Sequence, residues 1–375
     1  MKKSICIVGG TFDNTTHGKV SSVVEYLIAN IIFSQKFESV YNINGGNYVN
    51  LRKMVEGNEL SKYNVILWMP NISNDLPKIR NIKELYPKAI LISSKNNYSK
   101  NYSFQDIISH GLALKSNLIL EIRKQDEKLY CGRVLDPLGN VWTSSNTTDF
   151  TPHFDHIASI ISKRAVQLTE ISRQATIQSP EEPEQISTNQ KEFFEIVKRS
   201  GEIFHDLITP AEGTTRFLGN ASFRCERGFP SMRLENGNIY VSRRNVDKRY
   251  IDENSFVQVG INKVKNILWY RGDNKPSVDT PIQLRLYEKL PRINYMIHSH
   301  VYVKDSPFTK RMIPCGGLEE INEIMEVVKE NDFLNKTSFS INLKGHGSIV
   351  FTKFLNSFRS FDFIPRPMPE IQIIE

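Results

Sequence analysis

The sequence predicts an α/β protein of two domains, the first of them a doubly wound parallel sheet. Three observations carry that expectation. A chain of 375 residues is longer than one hydrophobic core usually serves. Its first third alternates short apolar runs with helically spaced segments, the pattern of parallel strands joined by helical crossovers. A polar, Pro- and Glu-rich stretch without aromatics, Ile177 to Gln190, then reads as a linker. The expected bounds are 1–165 for the first domain, 166–190 for a helix end and linker, and 191–375 for the second domain.

In the first domain, Ser4–Val8, Ser39–Asn44, Asn64–Met69, Ala89–Ser94 and Asn117–Arg123 read as strands, with helices such as Ser21–Phe33 and Lys78–Tyr86 between them. Five strands in this alternation suit a flavodoxin-like or Rossmann-like layout. Phe154–Thr176 has helical spacing and leads into the linker. Beyond it, Lys191–Leu207 reads as a helix with Phe193, Phe194, Ile196, Val197, Ile203 and Phe204 on its apolar side. Strands follow to about Val264. Then come a helix from Asp279 to Leu290, a strand through His298, a helix from Leu318 to Glu330, and two strands around Gly345-His346-Gly347.

The composition is that of a soluble protein able to form cores, with 39% hydrophobic and 24% charged residues. A formal net charge of +7 from 48 basic and 41 acidic residues is too dispersed to argue for nucleic acid, and it is compatible with an anionic small molecule. Four scattered cysteines (Cys6, Cys131, Cys225, Cys315) with no Cys-x-x-Cys pair suit a reducing, cytoplasmic setting. No run approaches the length of a membrane span.

The chemistry concentrates late in the chain. His298 and His300 are two apart in a strand-like run, so both imidazoles point to one face. A pair so placed can grip a divalent ion such as zinc, and His346 in its Gly-His-Gly turn could close a triad with one coordination position left open. Asp279, nineteen residues before His298, has two compatible readings. It opens a helix and is followed by Thr280-Pro281, as an N-cap aspartate would be. It also stands where a proton carrier beside a metal would. The remaining histidines, His17, His110, His153, His156 and His205, fall in no motif and read as structural or surface residues.

Several motifs in order, from about residue 191 to 351, make this region resemble the class II aldolase/adducin family. They are Gly219-Asn220-Ala221-Ser222, Lys275-Pro276-Ser277-Val278-Asp279-Thr280-Pro281, His298-Ser299-His300, Ile313-Pro314-Cys315 and Gly345-His346-Gly347. The likeness is nearest to L-ribulose-5-phosphate 4-epimerases and fuculose-phosphate aldolases, the aspartate at 279 favouring the epimerases. The resemblance implies an α/β/α layered domain, zinc or another divalent ion on His298, His300 and His346, and Asp279 as the acid/base. It implies lyase or isomerase chemistry on a phosphorylated or otherwise anionic sugar-like substrate through a metal-stabilised enediolate, in a homo-oligomer, usually a tetramer. Gly219, Asn220 and Ser277 match the family's anion-holding positions.

The departures are as informative. Arg244 and Asn245 replace the family's small serine-glycine pair. A guanidinium can still meet an anion as a bidentate fork, or Arg243, Arg244, Lys248 and Arg249 form a solvated basic turn. The stretch from His300 to His346 is short and lacks the family's usual proton donors, for which Tyr302, Lys304 and Asp305 are weak substitutes. An adducin-like assembly module without catalysis is therefore a rival reading. In the first domain, Gly9, Gly10, Thr11, Gly18, Lys19 and Ser21 form a glycine-containing loop after the first strand. Such a loop at a helix start can hold a phosphate, or it can be a tight turn. A nucleotide or nucleotide-sugar there would make the protein bifunctional.

Overall fold

The fold was read from a computed structural model. It describes residues 4–14, 18–72, 76–77, 79, 82–97, 102–124, 130–143, 151–171, 176–183, 186, 190–208, 219–225, 239–262 and 267–372. The chain divides into two compact units, one formed mainly by residues 1–169 and the other by 170–210 and 215–367.

The first unit is a sheet covered by helices. Strands β1 (Ser4–Asp13), β2 (Ser39–Asn47), β3 (Val65–Trp68), β4 (Asn71–Ile72), β5 (Ile90–Asn97) and β6 (Leu118–Lys124) alternate with α1 (Ser22–Phe33), α2 (Tyr48–Glu56), α3 (Ile82–Leu85) and α4 (Phe104–Ala113). The parallel core has the order β2-β1-β3-β5-β6, with β4 paired to the end of β1. That is the flavodoxin-like arrangement expected from the five apolar runs, all of which form strands. β7 (Tyr130–Leu135) and β8 (Asn140–Thr143) extend it as antiparallel hairpins, and α5 (Thr151–Ile171) follows. Near-continuous burial of Ile5, Cys6, Ile7 and Val8 is what a strand covered on both faces requires.

The second unit is layered. β9 (Ile177–Gln178), β10 (Asn220–Arg224), β11 (Ile239–Ser242), β12 (Phe256–Asn262), β13 (Ile267–Tyr270), β14 (Tyr295–Ser299), β16 (Ser338–Leu343) and β17 (Gly347–Thr352) form one sheet in the order β16-β17-β14-β10-β11-β12-β13-β9. β15 (Tyr302–Val303) pairs separately with β18 (Phe363–Ile364). Alternate strand residues serve two cores. Met296, Val241 and Ile349 pack with α7 (Thr280–Lys289) and α8 (Glu319–Glu330) on one face. Ile297, Tyr240 and Val350 pack with α6 (Lys191–Leu207) on the other. The result is α/β/α. No helix among the described residues is long and apolar enough to cross a membrane.

Three boundaries differ from the sequence reading. Residues 177–178, expected in the linker, pair as a strand with Trp269 and Tyr270, and Glu181 of the same stretch is bonded to Arg271. Residues 368–372, expected in the second domain, belong to the first unit, because Glu370 and Ile371 pair in parallel with Asn140 and Val141 of β8. β1 continues past Val8 to Asp13, so Gly9, Gly10 and Thr11 lie inside the strand, next to a register shift between Gly9 and Phe12. Periodicity misses such features because each depends on a partner far away in sequence.

Candidate metal centre

The histidines come together at one end of the second unit's sheet. His298 is on β14 and His300 lies just beyond it. Ser299 points to the opposite face, where its hydroxyl meets that of Ser348 at 3.0 Å. His346 arrives from the turn between β16 and β17. That turn needs its glycine: a Cβ on Gly347 would lie 1.9 Å from the Ser299 carbonyl oxygen, so only a bare backbone lets β17 run this close to β14. The Gly345 amide donates to the Tyr302 hydroxyl at 3.1 Å, tying the turn to the segment that follows the histidine strand.

The three imidazoles are buried, and one ligand atom from each lies within 4.8 Å of the others. Nδ1 of His298 is 2.9 Å from the Ser348 carbonyl oxygen and must donate to it, because a carbonyl can only accept. That leaves the lone pair on Nε2, which has no partner. Nδ1 of His300 and Nε2 of His346 are likewise buried without one. Orphaned buried nitrogens are rare because each costs about 1–3 kcal/mol. Three facing one another fit a divalent ion, which prefers neutral imidazole ligands. Burial lowers the His298 pKa from the usual 6.5 to about 4, helped by charge on His346, and drives that of His300 well below its usual value.

Asp279 faces this cluster. It occupies the position before α7, yet its side chain makes no capping bond. Its Oδ2 accepts from Asn220 at 2.8 Å and lies 3.9 Å from His298 Nε2, and its Oδ1 accepts from the Cys315 thiol at 3.4 Å. Of the two readings of Asp279, the geometry therefore favours the one beside the histidines. Burial and Asp279 push the half-buried Cys315 thiol up to about 11.

The expected anion-holding residues divide into two groups. Asn220 is inside the fold: its amide donates to Asp279 and to Ser277 Oγ, and its oxygen accepts from Gln283. Gly219 is there because a Cβ would fall 2.4 Å from the His298 carbonyl oxygen. Arg244 and Asn245 are exposed, in a turn docked on the Lys275–Ser277 segment by Arg244 N–H to the Lys275 oxygen at 2.8 Å and by an Arg243–Pro276 bridge. The glycine-containing loop of the first unit folds onto itself. Thr11 N–H donates to the Lys19 oxygen at 2.7 Å, and Ser21 and Asn44 bond each other in both directions. A Cβ on Gly10 would meet Gly45 N at 2.5 Å, and one on Gly18 would meet the Thr11 oxygen at 2.0 Å. Close backbone packing accounts for these glycines.

Two residues at the centre escaped the sequence reading. Glu320, near the start of α8, is buried with its Oε1 2.9 Å from His346 Nδ1. Burial raises its pKa and His346 opposes the rise. Burial would lower the His346 pKa, but Glu320 and Cys315 outweigh it and hold it well above the usual value. The signal was an acid one residue before Ile321 on an amphipathic helix. Lys248, grouped with a solvated basic turn, is buried, and desolvation lowers its pKa to about 8 against the pull of Asp247 and Asp279. Nothing in the sequence sets it apart from Arg249, which is paired with Asp247.

Residues 207–303 match the family model described as Class II Aldolase and Adducin N-terminal domain. The match bears out the resemblance over that segment and takes in Asp279, His298 and His300. It stops before Glu320 and His346. No curated protein matches the chain in sequence. Among solved structures, it aligns with the DNA/pantothenate metabolism flavoprotein from Streptococcus pneumoniae at 12% identity and TM-score 0.33, covering 45% of this chain and 100% of that one. It aligns with YgbL from Klebsiella pneumoniae, a candidate aldolase/epimerase/decarboxylase, at 13% identity and TM-score 0.27, covering 44% and 82%. The C-terminal domain of the coenzyme A biosynthesis bifunctional protein CoaBC aligns at 13% identity and TM-score 0.32, covering 45% and 96%.

Proposed function

We propose that the second unit is a metal-dependent lyase or epimerase of the class II aldolase type, acting on a small anionic, sugar-like substrate. The observation that carries this reading is the set of three mutually facing, unpartnered imidazole nitrogens with a carboxylate 3.9 Å from one of them. An assembly module would gain nothing from leaving such groups unpaired, at about 1–3 kcal/mol each.

His298, His300 and His346 would hold the ion, with zinc the natural choice for three imidazoles. A bound divalent ion supplies Lewis-acid polarisation of a substrate oxygen. The rest falls to the chain's own residues. Asp279, fixed by Asn220 and Cys315, takes up and returns a proton at its carboxylate. Buried Lys248 adds positive potential felt at His298 and His300, which suits an anionic substrate. Arg244 and Asn245, beside Ser277, hold the substrate's anionic end at the rim.

Metal analysis of protein expressed with ample zinc should find close to one ion per chain, and His298→Ala should lose it while remaining folded. Asp279→Asn should keep the metal and the ligand but lose about 10²–10⁴-fold in turnover. A metal-free wild type would overturn the reading.

A further inference from the structure

We infer that Glu320 is the positioning residue of the metal centre: its carboxylate holds the His346 ring so that Nδ1 carries the proton and bare Nε2 faces His298 and His300. The inference rests on the metal reading above, and it adds a residue beyond the three histidines and Asp279.

The first support is geometric. Oε1 of Glu320 lies 2.9 Å from Nδ1 of His346, and the two side chains are 5% and 1% exposed. An ionised carboxylate can only accept, so the ring must donate from Nδ1, and in the neutral, metal-binding form the lone pair is left on Nε2. That atom is among the three buried nitrogens without a partner. Accepting at Nδ1, Glu320 favours this tautomer and this ring orientation over its flip.

The second support is a comparison along one helix. α8 buries two acids, Glu320 and Glu323. Glu323 has a conventional partner, since Arg311 donates to it from Nε at 2.8 Å and from the backbone at 3.0 Å. Glu320 has a histidine instead. Burying a carboxylate carries a large desolvation cost, which a histidine offsets only when its ring bears or binds positive charge. An imidazole that also binds a dication compensates it well, because the carboxylate then sees positive charge through the ring.

The third support is the contrast with His298. Its Nδ1 is held by a neutral carbonyl, that of Ser348. His298 and His346 thus have the two kinds of backing that metal-bound histidines usually have, and the carboxylate makes His346 the stronger donor.

The test is zinc titration of the full chain for wild type, Glu320→Met, Glu320→Gln and, as control, Glu323→Gln. Glu320→Met should weaken zinc about 10–100-fold. Glu320→Gln retains an oxygen acceptor without charge and should fall at the low end of that range, about 10-fold. Glu323→Gln should bind as wild type does. Ring ¹⁵N spectra of the metal-free proteins, recorded above the raised pKa of His346, supply a second readout: the Nδ1–H tautomer of His346 should persist in wild type and Glu320→Gln and be lost in Glu320→Met. If Glu320→Met does not fold, the loss of about 10-fold in the isosteric Gln variant carries the decision. Wild-type affinity and tautomer in the Glu320 variants would overturn the inference. A wild type that binds no zinc would instead overturn the metal reading, and the tautomer spectra would still decide whether Glu320 sets the ring.

Discussion

Each half of the chain has a cluster of glycines at a sheet edge or turn, and the two clusters do different things. In the first unit, Gly10, Gly18 and Gly45 let β1, β2 and the loop after β1 touch backbone to backbone. The polar groups gathered there answer one another, as Thr11 does with Lys19 and Ser21 with Asn44. In the second unit, Gly219 and Gly347 allow the same closeness around β14, but the groups brought together are three imidazoles that do not answer one another. A glycine cluster therefore marks close packing. What marks the candidate site is that three buried, unpartnered imidazole nitrogens are gathered in one place.

The sharpest way to break this contrast is to fill both clusters. Gly347→Ala and Gly10→Ala each force a Cβ into backbone, at 1.9 Å and 2.5 Å, and both positions have positive φ. Each should cost more than about 4 kcal/mol, among the largest single-residue effects. Only Gly347→Ala should also abolish metal retention. Equal metal loss in both variants, measured by metal content of whatever soluble protein remains, would defeat the distinction.

A smaller effect should appear in the pH dependence of the metal-free protein. The unfolded chain protonates His298 near 6.5, the folded protein only near 4. Between those values the unfolded state binds more protons, so stability falls as pH drops, by about 3 kcal/mol from this group. His346, with its raised pKa, works in the opposite sense: its contribution is full below 6.5 and is lost as pH rises through its folded value. Urea midpoints of wild type and His298→Phe across this range should show a flatter pH slope in the variant. An unchanged slope would mean that His298 does not resist protonation as its burial implies.

Next in size is Lys248→Met. Removing an ammonium whose pKa burial lowers to about 8 should raise the melting temperature at neutral pH and lower activity together. A gain in stability with full activity would leave Lys248 outside the site. The smallest effect belongs to the rim. Arg244→Ser should weaken a phosphate analogue by about 1.5 kcal/mol and leave stability nearly unchanged. Unchanged affinity in a titration of wild type and variant would assign that exposed turn to plain solvent contact.

Much of the fold was legible from local pattern. All five parallel strands, α6 to its ends, and the helices after Asp279 and Leu318 follow from spacing of apolar residues. His298 and His300 were legible for the same reason, because two residues along a strand return to the same face whatever the strand packs against. The capping spacing of Asp279-Thr280-Pro281 was also correct as local geometry, but it did not say which way the carboxylate turns. That was decided by Asn220 on β10 and Cys315 in the segment leading to α8.

By itself, then, the sequence determined the parallel strands of the first unit, the main helices of the second and one face of the site. Tertiary structure alone decided which groups are buried and with whom. Glu320 and Glu323 are alike on paper, yet one meets His346 and the other Arg311; Lys248 and Arg249 are adjacent, yet one is buried and the other paired near the surface. The physical reason is that burial and partnership depend on distant segments: α8 meets His346, and β17 meets β14, across long separations in sequence. The energy of a charged group depends on those neighbours far more than on its place in the chain.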